Sequence, residues 1–219
     1  MQIDFFNKPG LDLKAEQRML AQGYQNVVGL DEVGRGALAG PVVAAAVCLN
    51  HSFLSRSIPS SLKNVRDSKK LNSRQREEIA VAAKELDGIS WAIGSVSEKI
   101  IDRTDILTAT KKAMLRAVNK LSVHPSILII DGNFKLSVNW PQIVRPKADD
   151  QVFSVALASI LAKVYRDQLM IKYARQFPGY LFEQHKGYAT RQHYQAIAQK
   201  GLCSIHRRSF RLTGTWQKA

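Results

Sequence analysis

The stretch VFSVALASILAKV, residues 152–164, limits what this chain can fold into more than any other. It is apolar nearly all round, and a helix of that kind is buried rather than laid on a surface. The pattern predicts a helix over about 150–176, and a buried helix needs partners on several sides. Apolar, β-branched runs at 26–31, 41–49 (PVVAAAVCL), 90–96 (SWAIGSV), 126–131 (SILIID) and 141–146 (PQIVRP) predict five strands to supply them. A short basic helix is expected within 11–24, and another from a cap at Asn72 or Ser73 to about residue 86. A third is expected over 99–121, where Ile106, Leu107, Met114, Leu115, Val118 and Leu121 recur mostly three or four apart. Residues 51–72 are polar, rich in Ser and Lys, and read as a long loop. Strands joined by short connections pair antiparallel, and a strand reached through a helical crossover pairs parallel. The expected fold class is α/β, a mixed sheet flanked by helices, in a single domain over 1–219 with a basic helical C-terminal region at about 178–219.

Charge narrows the partners. Lys plus Arg is 32 and Asp plus Glu is 18, a net charge of +14. Such a balance favours a polyanion, either nucleic acid or an anionic membrane surface. No apolar run approaches the ~20 residues of a membrane span, and the first residues carry no basic-then-apolar signal sequence. Cys48 and Cys203 have no metal-type spacing and read as free thiols in a reducing compartment. The cytoplasm is the expected location and a monomer the expected state. The Gly-rich phosphate loop ending in Lys-Ser/Thr and the dinucleotide fingerprint are both absent.

Asp31 closes the first expected strand with Glu32 next to it, Asp131 closes the fourth, and Asp149 and Asp150 stand at the start of the buried helix. Strand ends and helix N-termini can converge at one rim of a sheet. Two unit charges ~4 Å apart at an effective dielectric of ~20 repel by about 4 kcal/mol, so a converged set holds protons or cations. Oxygen-only donors select hard ions, Mg²⁺ first and Mn²⁺ next. Two such ions can clamp the attacking and leaving oxygens of a phosphoryl displacement. An acid cluster on a basic chain therefore points to a metal-dependent nuclease. Taken singly, Asp131 in DGN also reads as a turn former and Asp150 as a helix cap. Asp31-Glu32 followed by Gly34-Arg35-Gly36 is an odd turn for structure alone. The glycines let backbone N–H groups approach a ligand closely, and Arg35 can face a phosphate.

The segments GLDEVGRGALAGPVVAAAV, RDSKKL, LIIDGN, KAD, ASILAKVYRD, HKGYAT and HRRSF occur in order from Gly29 to Phe210. Together they resemble bacterial ribonuclease HII over nearly the whole chain. The sister ribonuclease HIII carries an additional N-terminal substrate-binding domain, and the short stretch before Asp31 disfavours it. The resemblance implies a ribonuclease H fold and a two-ion site of Mg²⁺ or Mn²⁺ held by Asp31, Glu32, Asp131 and Asp149, with Asp150 left as the helix cap. It implies hydrolysis on the 5′ side of ribonucleotides, in RNA–DNA hybrids and singly embedded in duplex DNA, leaving 3′-hydroxyl and 5′-phosphate ends. It implies that the Gly34-Arg35-Gly36 backbone grips the nucleotide bearing the 2′-hydroxyl and that Tyr188 stacks at the RNA–DNA junction. Composition alone makes Tyr188 a half-buried helix-edge residue. Lys69, Lys70, Lys186, Arg207 and Arg208 are candidate phosphate contacts, with Lys69 preferred. Ser159 is a candidate contact to the DNA backbone, and Lys163 a partner for an acid near the site. His185 and His206 stand open between general acid and phosphate contact. Two rivals are a different two-metal nuclease or resolvase on the same fold and a hybrid-binding module without catalysis. Cleavage of pure DNA would mark the first, and binding without metal-dependent turnover the second.

Overall fold

The structure, a computed structural model, describes residues 11–212, and of residues 66–69 the backbone alone. The expected phosphate contact of Lys69 therefore lies outside the described side chains. Five strands form one sheet in the order β3-β2-β1-β4-β5: β1 Val27–Val33, β2 Val42–Leu49, β3 Ile89–Val96, β4 Ile127–Asp131 and β5 Gln142–Arg145. β1, β2 and β3 pair antiparallel, while β4 lies parallel to β1 and β5 parallel to β4. The helices are α1 Lys14–Ala21, α2 His51–Leu54, α3 Ser73–Glu85, α4 Glu98–Arg103, α5 Ile106–Val118, α6 Phe153–Gln176, α7 Phe182–His185 and α8 Arg191–Lys200. Among the described residues no helix is long and apolar enough to cross a membrane.

β2 explains the three-layer packing, helix on sheet on helix. All eight of its residues are buried. Side chains alternate along a strand, so Val43, Ala45, Val47 and Leu49 meet α6 on one face, while Val42, Ala44, Ala46 and Cys48 meet α5 on the other. Its alanines keep both helices close to the sheet. The apolar first half of α6 is enclosed by β1, β2, α3, α1 and the segment Ser60–Lys70.

Several boundaries differ from expectation. β1 runs on through Val33, because Asp31, Glu32 and Val33 stay paired with Ala45, Ala44 and Val43 of β2. The stretch 51–72 is not a loop: it holds α2 and a 3₁₀ helix over Ser60–Lys70, with Leu62 and Val65 in the core. The helix expected over 99–121 is two helices. Thr104 leaves helical geometry at φ −121° and ψ −109°, and the Asp105 carboxylate caps α5, accepting from the Thr108 N–H at 2.9 Å. Asp149 and Asp150 lie on a separate 3₁₀ turn, Ala148–Asp150, and the N-cap of α6 is Val152. The expected Asp150 cap is thus displaced. The carboxylate of Glu16, fully buried on α1, accepts from the Ser154 N–H at 2.8 Å in the first turn of α6.

Candidate active site

The site forms where parallel β1 and β4 end side by side. β1 pairs with β4 through Leu30 opposite Ile130, and one step further along each strand stand Asp31 and Asp131. Adjacent strand residues point to opposite faces, so Asp31 and Glu32 enter the site from the two sides of β1. The Ala148 N–H donates to Asp131 Oδ1 at 3.2 Å and ties the 3₁₀ turn to the end of β4. That bond delivers Asp149. Asp149 is buried, whereas its neighbour Asp150 is exposed. Asp149, Glu32, Val33, Arg76, Ser159, Ile160 and Lys163 line one pocket of about 190 Å³.

The electrostatics follow from this crowding. Burial pushes the Asp31 carboxyl well above the usual carboxylate range; the Ser159 hydroxyl opposes the shift, and the charges of Glu32 and Asp131 add to it. Burial also raises Glu32, against the pull of Arg35 and with the push of Asp131. Arg35 Nη1 meets Glu32 Oε1 at 3.2 Å, and its guanidinium lies 5.8 Å from the Phe134 ring centre. Glu32 Oε2 is buried with no hydrogen-bond partner. Among the described residues no three acid, His or Cys side chains are already closed into a metal cage. The donor set nevertheless fits a hard cation. It is all oxygen, mutually repelling, and includes one buried carboxylate oxygen that nothing else satisfies.

A family model described as Ribonuclease HII matches residues 28–213, the span that contains every one of these acids. The chain belongs to the ribonuclease HII family. Ribonuclease HII of Pelodictyon phaeoclathratiforme is 47% identical over 193 residues, 88% of this chain and 92% of that one. The ribonuclease H2 crystal structure from Pyrococcus horikoshii OT3 superposes with a TM-score of 0.68 at 25% identity, covering 85% of this chain and 94% of that one. Bst-RNase HIII, solved in complex with Mn²⁺, shares the fold at a TM-score of 0.63 and 23% identity, over 85% of this chain and 67% of that one. The chain is accordingly an enzyme of the ribonuclease H class.

The rest of the chain departs in part from the sequence reading. Arg207, expected at a phosphate, is buried. Its Nε, Nη1 and Nη2 donate to the carbonyls of Gly40, Arg35 and Gly34 at 3.0, 2.7 and 2.7 Å. His185 and His206 are buried too. They pack on Phe182 with His193, and His206 Nε2 lies 3.1 Å from His193 Nε2. Burial lowers the pKa of both His193 and His206 to about 4. Lys186 is half-buried and its Nζ donates to the Glu183 carbonyl. Lys163 lines the site pocket and pairs with an acid, Asp167, at 2.8 Å, one turn along α6. Lys70 is exposed, and the Arg208 and Ser209 N–H groups both donate to Asp102 at 3.0 Å. Tyr188 is half-buried and bridges to Ala37 of the glycine loop.

Sequence reasoning missed Arg166. It is fully buried, and its Nε, Nη1 and Nη2 donate to the carbonyls of Pro41, Lys186 and Ala39 at 3.0, 2.9 and 3.1 Å. Its guanidinium also lies 5.3 Å from the Tyr188 ring centre. The signal was present. Ala158, Ala162, Arg166 and Met170 lie four apart, on a helical stripe that is otherwise apolar and buried throughout.

Proposed function

We propose that this chain is a divalent-metal-dependent endonuclease that cuts on the 5′ side of ribonucleotides paired with DNA, leaving 3′-hydroxyl and 5′-phosphate ends. The observation that carries the reading is the convergence of Asp31, Glu32, Asp131 and Asp149 at one rim of the sheet, with an unsatisfied buried Glu32 oxygen. These four carboxylates would hold Mg²⁺ or Mn²⁺. Bst-RNase HIII, a protein of the same fold, is solved in complex with Mn²⁺, a hard ion of the kind an all-oxygen donor set would take. Held by the four carboxylates, such ions would supply an activated water and neutralise charge on the leaving 3′-oxygen. The protein's own groups position. Ser159 beside Asp31 orients that carboxylate and faces the DNA strand. The backbone of Gly34, Arg35 and Gly36 takes the 2′-hydroxyl, the one group that distinguishes RNA from DNA at a single position. Tyr188 stacks on the adjoining nucleotide, and Lys69 and Lys186 meet phosphates. The C-terminal region from about 178 belongs to this substrate surface through Tyr188. Free Cys48 and Cys203 suit a cytoplasmic enzyme.

The reading is tested on an RNA–DNA hybrid and an all-DNA duplex of the same sequence, with Mg²⁺ or with chelator. The expected result is cleavage of the hybrid alone, with the ion alone. Cleavage of the all-DNA duplex at a similar rate would place the chain among other nucleases of this fold. Binding without turnover would make it a recognition module.

A further inference from the structure

Two buried arginines hold the loop between β1 and β2 from behind. Arg207 takes the carbonyls of Gly34, Arg35 and Gly40, and Arg166 those of Ala39 and Pro41. Five carbonyls of residues 34–41 thus point inward. In a trans peptide the C=O and the following N–H point in opposite directions. Turning the Gly34 and Arg35 carbonyls onto Arg207 therefore turns the N–H groups of Arg35 and Gly36 away from it, side by side. Among the described residues neither N–H has an internal acceptor. Gly36 is exposed, and a Cβ there would meet nothing within 4 Å. Arg166 also donates to the Lys186 carbonyl and lies over the Tyr188 ring, while the Leu38 N–H donates to the Gly187 carbonyl at 2.8 Å. The loop and the HKGY segment are therefore one body with a shared cationic back.

We propose that Arg166 and Arg207 are positioning residues for ribonucleotide recognition. Arg207 aims the Arg35 and Gly36 N–H groups as a preorganised donor pair, and Arg166 fixes Tyr188 at a set distance from that pair. The inference rests on the reading that this loop and Tyr188 take the ribonucleotide. Neither arginine touches substrate, and each acts through the backbone it holds. Lysine cannot replace them: it is a point charge on a flexible stem and cannot span three carbonyls as a planar guanidinium does.

The test compares full-length wild type with Arg207→Lys and Arg166→Lys. It measures thermal melts and affinity in Ca²⁺ for a duplex containing one ribonucleotide and for the same duplex in all-DNA form. The expected result is a preference of wild type for the ribonucleotide that falls about tenfold in each variant, with all-DNA affinity nearly unchanged, the loss of one or two hydrogen bonds' worth of discrimination. In Mg²⁺ the loss should appear in KM more than in kcat. Folded variants that keep the wild-type preference overturn the inference alone. A wild type with no preference overturns the underlying reading, and the inference with it. Amide hydrogen exchange on wild type decides the matter even where a variant does not fold. The Arg35 and Gly36 amides should exchange freely in the unliganded protein and be slowed by the ribonucleotide duplex but not by the all-DNA one. Protection of both amides in the unliganded protein, or equal slowing by both duplexes, would show that the donors are not aimed at the ribonucleotide.

Discussion

At the residue scale the site depends on charges that repel one another and glycines that serve different ends. Asp31→Asn, Glu32→Gln, Asp131→Asn and Asp149→Asn each remove one carboxylate from the rim. Outer-shell partners of metal ligands are worth 10- to 100-fold, so loss of a ligand should cost more than about 100-fold in turnover. Melting temperatures should hold or rise for Asp31→Asn and Glu32→Gln, because burial and neighbouring acids already disfavour both charges. A variant with near wild-type turnover in Mg²⁺ would remove its residue from the ligand set. The two glycines of the loop separate in the same way. Gly34 has φ +89°, and a Cβ there would stand 2.2 Å from Arg166 Nε, whereas Gly36 opens onto free space. Gly34→Ala should cost more than about 1 kcal/mol of stability. Gly36→Ala should leave stability within about 0.5 kcal/mol while weakening ribonucleotide binding. Equal melts for the two variants would contradict this division. The sequence identifies both glycines as special but not their separate reasons, because the reason for Gly34 is an arginine more than a hundred positions away.

At the element scale the anchoring of α6 is the feature that sequence pattern does not show. Its length and burial follow from an apolar run, yet its first turn is held by Glu16 from the N-terminal helix. Burial raises the Glu16 pKa. An acid whose folded pKa lies above its unfolded value costs stability where it is ionised, and that cost is relieved as pH falls through the folded pKa. Glu16→Gln keeps an acceptor without the charge. It should melt at or above wild type at pH 8, with the advantage shrinking toward pH 4. Glu16→Ala should lose about 1–3 kcal/mol by leaving the Ser154 N–H unpaired. Paired melts at the two pH values check both, and an advantage for Gln that grows on acidification would reverse the sign argued here. The strands were legible because β2 and β4 are continuous apolar runs, as strands covered on both faces must be. The break at Thr104 was not, since a cap by Asp105 leaves the apolar spacing on either side intact. The burial of Arg207, His185 and His206 was not either: a basic or imidazole side chain has no sequence mark that separates a carbonyl-bound interior site from a phosphate contact.

At the scale of the whole molecule, a rim of carboxylates belongs to a chain of net charge +14. The acids alone would repel a polyanion, and the basic surface offsets that repulsion over the length of a duplex. Binding should therefore weaken steeply with salt, since each phosphate contact releases a counterion, and Lys69→Ala should lower the slope of log K against log salt by about one. Salt-independent affinity would contradict the surface reading. The central claim joins both charges: the carboxylates would hold the ions needed for cleavage, and the glycine loop with Tyr188 would choose where it falls. The measurement that reaches it most directly is single-turnover cleavage of a DNA duplex carrying one ribonucleotide, with the cut mapped to the nucleotide and the ends identified. The predicted result is one incision on the 5′ side of the ribonucleotide, with 3′-hydroxyl and 5′-phosphate ends, present with Mg²⁺ or Mn²⁺ and abolished by chelator or by Asp31→Asn. Cleavage that persists in chelator, or that falls at deoxynucleotides as often as at the ribonucleotide, would contradict it.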